Sequence, residues 1–104
     1  MMDEQDNVFK LSRPLMVDGE ELQELPYDFD KMTARDKLMV TVEMAAAGLP
    51  QSTVEDVDPA YQLILFAKAV EVASGGKIAV PDVLRISAKD AQRGSSLARS
   101  FFYL

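Results

Sequence analysis

The side chains most suited by number and spacing to do chemistry in this sequence are its carboxylates: Glu20/Glu21, Asp28/Asp30 and the group Glu55, Asp56 and Asp58. Acid–base catalysis needs two carboxylates in unlike environments flanking a pocket, so that one keeps a proton while the other is ionised. These groups fall in turns and loops, where carboxylates cap helices and stay hydrated. Glu55-Asp56-Val57-Asp58 offers oxygen ligands for calcium or magnesium, but it lacks the regular ligand positions and the turn glycine of an EF-hand loop. Gly75-Gly76-Lys77 has part of a phosphate loop without the spaced first glycine, and it follows a helical pattern, so it reads as a helix C-cap. The sequence holds no histidine and no cysteine. That removes the commonest general base and zinc ligand, every Ser–His or Cys–His nucleophile pair, thiolate metal sites and disulfides. No catalytic residue, no metal site and no cofactor is expected.

Charge narrows the partners. Seventeen acidic residues against eleven basic ones give a formal net charge of −6, a field that repels nucleic acid and anionic lipid. Lys89, Arg93 and Arg99 precede Phe101, Phe102 and Tyr103, and a basic surface carrying aromatics can stack bases. With no wider basic stripe, the reading is solvated arginines on one helix face and core aromatics on the other. The start, Met1-Met2-Asp3-Glu4-Gln5-Asp6, is acidic where a signal peptide would be basic. No apolar run approaches the ~18 residues of a membrane span; the longest, residues 63–72, is broken by Lys68 and Glu71. Neither nucleic acid nor membrane is expected as a partner, and the protein is expected to stay where it is made.

The elements that must position these groups follow from pattern. At 104 residues the chain is expected to form one α+β domain: an N-terminal β-hairpin followed by a small helical domain of about three helices. Residues 1–7 are expected to be a flexible N-terminus, with the single domain over 8–104, its hairpin at 8–29 and its helical part at 33–104. Asp18-Gly19 between two apolar-containing runs is a type I′ hairpin signal. Tyr27 and Phe29 alternate with Asp28 as in a half-buried strand, while Leu22 and Leu25 are out of step, which predicts a bulge or irregular start. Pro14 and Pro26 suit edge positions.

Thr33-Ala34-Arg35-Asp36 predicts a capping box, and Leu38, Val42, Ala45 and Leu49 then recur at helical spacing up to Gly48, a C-cap. Asp58-Pro59 predicts a second helix start. That helix runs to Ser74, stops at Gly75-Gly76 and is apolar nearly all round, hence central. Lys77-Ile78-Ala79-Val80 reads as a short extended piece and 81–86 as one helical turn. Ser87-Ala88-Lys89-Asp90 starts a last helix to about Tyr103, with Ala91, Ala98 and Phe102 as its stripe beside Leu97, Phe101 and Leu104. Gly94 in its middle either kinks the helix or permits close packing.

With chemistry set aside, contact surface remains. Phe101, Phe102, Tyr103 and Leu104 are four large apolar residues in a row, which spread over about 300° of a helix at ~100° per residue. At least one of them is therefore exposed or covered by another chain, and contiguous exposed apolar surface marks interaction sites. They are the first candidates for a partner-binding site, with Met39 and Met44 second. Together with Met32 these form either an adaptable surface or plain core filler.

The run Phe9-Lys10-Leu11-Ser12-Arg13-Pro14-Leu15-Met16-Val17-Asp18-Gly19-Glu20-Glu21-Leu22 resembles the opening of tail assembly chaperones of long-tailed phages and prophages. The similarity continues through residues 28–36, returns at Asp58-Pro59-Ala60-Tyr61-Gln62-Leu63, and closes with residues 83–90 and Ser100-Phe101-Phe102. It spans nearly the whole chain in one order, departing at Leu22-Gln23-Glu24-Leu25. The resemblance implies a chaperone that coats the helical tape measure protein, contacts tail tube protein and self-associates. It would act in the host cytoplasm and be absent from the mature virion. The rival expectations are a structural head–tail or tail component of the virion, and an acidic regulatory adaptor or DNA mimic with carboxylates at duplex-like spacing.

Overall fold

The computed structural model describes residues 7–51 and 54–104. An antiparallel two-stranded hairpin, β1 (Val8–Val17) and β2 (Glu20–Pro26), leads into α1 (Ala34–Ala46), a 3₁₀ turn at Glu55–Val57, α2 (Pro59–Ala73), the single turn α3 (Val80–Val83) and α4 (Ala88–Tyr103). This is the α+β order the sequence predicts. The flexible stretch expected at 1–7 lies outside the described residues except for Asn7, whose carbonyl accepts a bond from the Tyr27 amide at 3.0 Å.

The hairpin turns through Asp18 (φ 51°) and Gly19 (φ 80°), the positive pair that a type I′ turn requires. Glycine adopts this region freely, aspartate and asparagine do so at modest cost, and other residues rarely do. Gly19→Ala is therefore expected to lower stability by about 1 kcal/mol, read as a lower urea midpoint with an unchanged slope. From the turn, Val17 pairs with Glu20 and Leu15 with Leu22; the register then shifts, and Lys10 pairs with Glu24 and Phe9 with Leu25. Residues 11–14 of β1 thus stand opposite Gln23 alone. This bulge reconciles Leu22 with Leu25: three residues apart, they still reach the same core, because β1 absorbs the odd step. Pro14 lies in the bulge, where no ladder bond is asked of it.

Three expectations need correction. The second strand ends at Pro26, so Tyr27 and Phe29 are not strand; Asp28 instead bonds the Ala69 carbonyl at 3.3 Å as the chain crosses α2. Lys77 and Ile78 form a bend and Ala79 caps α3, with Ile78 buried but unpaired in any sheet. And the stripe Leu38, Val42 and Ala45 of α1 faces solvent, while Val40 and Met44 face the core.

The remaining caps form as predicted. Thr33 accepts the Asp36 amide at 3.2 Å and Asp36 accepts the Thr33 amide at 2.9 Å. Asp58 accepts the Ala60 amide at 3.0 Å, with Pro59 in the first helical position. After α2, the amides of Gly75 and Gly76 return to the carbonyls of Val72 and Glu71, a Schellman closure. α2 is the central element: Tyr61, Ile64, Leu65, Phe66, Ala67, Ala69 and Val70 are all buried. The hairpin supplies Phe9, Leu15, Val17 and Leu25 to the same core. Gly94 resolves to close packing. A Cβ there would stand 2.7 Å from Phe66 Cδ2, so its absence lets α4 approach α2.

Candidate functional site

Two hydrogen-bonded clusters and one apolar end organise the surface. The first cluster joins α4 to the β1 bulge. Ser87 caps α4 by accepting the Asp90 amide at 3.1 Å, but the Asp90 carboxylate does not turn back to complete a capping box. It is fully buried and accepts the Ser12 amide at 3.1 and 2.9 Å through its two oxygens. Arg93 pairs with Asp90, donates to the Lys10 carbonyl at 2.8 Å, and lies 4.4 Å over the Phe9 ring. Burial by itself would raise the Asp90 pKa. The Ser12 amide and hydroxyl, the Ser87 hydroxyl and the Arg13 amide outweigh it and hold the carboxyl below its usual range.

The second cluster ties α1, the 3₁₀ turn, α2 and the end of α4 together. Lys37 donates to the Tyr61 hydroxyl at 2.9 Å and stands 3.6 Å from Glu55. Tyr103 donates to the Glu55 carboxylate at 3.3 Å. Burial, then the charge of Glu55, raises the Tyr61 pKa; burial, then Tyr61, pushes that of Tyr103 up to about 12. Both phenols therefore stay protonated near neutrality, where a phenol donates and does not act as a base. Arg99 donates to the Asp56 carbonyl at 2.9 Å, and Gln62 to the same carbonyl at 2.8 Å. Arg93 and Arg99, read from the sequence as solvated, keep contact with solvent and also hold backbone carbonyls of β1 and of the 3₁₀ turn.

Among the described residues every buried side-chain nitrogen and oxygen has a partner, and no three acidic residues converge to hold a metal ion. No described helix is long and apolar enough to cross a membrane. Glu55 and Asp58, sequence candidates for cation ligands, serve as the Tyr103 acceptor and the α2 cap.

The candidate partner residues separate. Met44 is fully buried and belongs to the core, which removes it from any surface; Met39 is half-buried. Phe102 and Tyr103 are half-buried, whereas Phe101 keeps 48% of its area exposed and Leu104 81%. Phe101 stacks on Phe29 at 5.1 Å, and Phe102 meets Phe29 edge-on at 5.6 Å. Beside them a groove of about 300 Å³ runs between Tyr27, Asp28, Phe29 and Asp30 on one side and Leu97, Ser100 and Phe101 on the other. What sequence reasoning missed is the outward face of α1, with Leu38 72% and Val42 54% exposed; its helical spacing was visible, but its direction was not. Comparison with known protein families, with characterised proteins and with solved structures finds no match.

Proposed function

We infer that the chain is a tail assembly chaperone of a long-tailed phage or prophage, working in the host cytoplasm. It would hold the helical tape measure protein until tail tube subunits, which it recruits, polymerise around that protein. The observation that supports this reading is the apolar end of α4, where Phe101 lines the Phe29 groove and both Phe101 and Leu104 are exposed. A client with apolar helical stripes needs such a surface and needs no chemistry. The net charge of −6 keeps a carrier of sticky surface dispersed. The resemblance across the sequence supplies the identity of the client.

Co-expression of the chain with the tape measure protein, followed by capture in low salt, tests the reading. The unaltered chain should retain the client, and Leu104→Glu combined with Phe101→Ser should weaken retention at least about tenfold, some 1.4 kcal/mol. No retention by the unaltered chain would sink the proposal. Finding the chain in purified particles would favour a structural virion component instead.

A further inference from the structure

The groove at the end of α4 is aromatic and acidic at once. Tyr27 meets Phe29 edge-on at 5.5 Å, and Phe101 stacks on Phe29 at 5.1 Å. Asp28 and Asp30 alternate with these rings along the same wall, and no basic residue lines the groove. Asp28 accepts the Lys31 amide at 3.2 Å. Among the described residues neither carboxylate enters an ion pair, whereas Asp82 and Asp90 each hold an arginine.

We propose that this groove receives an arginine side chain of the helical client. The inference rests on the reading of this end of α4 as the client's seat and adds what the seat selects. A guanidinium is flat, stacks on aromatic faces and donates in a fork that matches carboxylates. The groove offers both kinds of partner. The same pairing exists inside the molecule, where Arg93 lies 4.4 Å over the Phe9 ring while it pairs with Asp90. Size limits the occupant as well. About 300 Å³ is the small end of ligand clefts, room for one side chain and not for a helix. The client helix therefore lies across the mouth, its apolar stripe against the exposed part of Phe101, and one side chain enters. An apolar side chain there would dehydrate Asp28 and Asp30 without replacing their water. A glutamate would meet two like charges in a chain of net charge −6. Arginine answers the rings and the carboxylates together.

Two alanine-based helical peptides of about 20 residues test this, each with a leucine stripe and a terminal tryptophan. They differ only beside the stripe, where one carries arginine and the other glutamine. The chain has no tryptophan, so the peptide's indole fluorescence reports binding cleanly. The arginine peptide should bind about tenfold more tightly than the glutamine peptide. Asp28→Asn combined with Asp30→Asn should abolish that preference, leaving the two peptides bound alike. An asparagine at 28 still offers an oxygen to the Lys31 amide, and an unchanged thermal midpoint would show that the double variant stays folded. No binding of the arginine peptide overturns the proposal. So does equal affinity for the two peptides, or a preference that survives the double variant. None of these outcomes touches capture of the tape measure protein by the unaltered chain, so the seat on α4 stands or falls separately.

Discussion

Asp90→Ala is expected to lower the stability of the fold by about 3 kcal/mol. The carboxylate is fully buried and accepts twice from the Ser12 amide besides pairing with Arg93. Truncation leaves the Ser12 amide without its acceptor and Arg93 without its anion. Arg93 is 43% exposed and regains water, which keeps the loss below that of a wholly enclosed pair. Equilibrium urea unfolding measures it, and a loss within a few tenths of a kcal/mol would show that the bulge holds itself.

The same group gives a sign for pH. Its folded pKa lies below the unfolded value of about 3.9, so its contribution is complete above that value and is lost as pH falls through the folded one. Asp82 is shifted downward as well, by the Ala79 amide and Arg85, and acts in the same direction. The unaltered protein should therefore lose stability on acidification below about pH 4. Asp90→Asn should lose less over that interval, and the gap between the two proteins should close toward low pH. Parallel acid-unfolding curves would show that ionised Asp90 is not what joins α4 to the hairpin.

Gly94→Val should be about as damaging, at roughly 3 kcal/mol. Even one methyl at this position would stand 2.7 Å from Phe66 Cδ2 and 3.0 Å from Cε2. The Phe66 ring is fully buried between Phe9 at 4.7 Å and Tyr27 at 5.9 Å, so it has nowhere to swing. For Gly94→Ala, about 1 kcal/mol of helix propensity offsets part of an overpacking cost of 1–3 kcal/mol, leaving a net loss of about 1 kcal/mol. Combining Gly94→Ala with Phe66→Leu removes the ring edge that the methyl meets. The pair should then lose less than the sum of the two single variants. A Gly94→Ala protein at least as stable as the parent would mean that α2 and α4 have slack between them.

Local signals in the sequence were enough for the parts of this protein that depend on a few neighbouring residues. Asp18-Gly19, Thr33 with Asp36, Asp58-Pro59 and Gly75-Gly76 each act through their own backbone, and each forms the turn or cap its chemistry predicts. The all-round apolar character of α2 likewise announces a central helix, since no direction remains to be chosen.

Direction is what only the tertiary structure decided. α1 has apolar residues on opposite sides, so periodicity alone could not say whether Leu38 and Val42 or Val40 and Met44 would meet α2. On α4 the buried face holds Ala98, which the apolar stripe included, together with Asp90, Gly94 and Ser95, small or polar residues that hydropathy does not pick out. They are buried because their partners lie far away in the chain: Ser12 for Asp90, the Pro59 carbonyl for Ser95, and the Phe66 ring for Gly94. A polar group enters a core when a distant partner satisfies it, and a glycine when a distant ring needs the room. Both conditions arise only once the hairpin, α2 and α4 have come together.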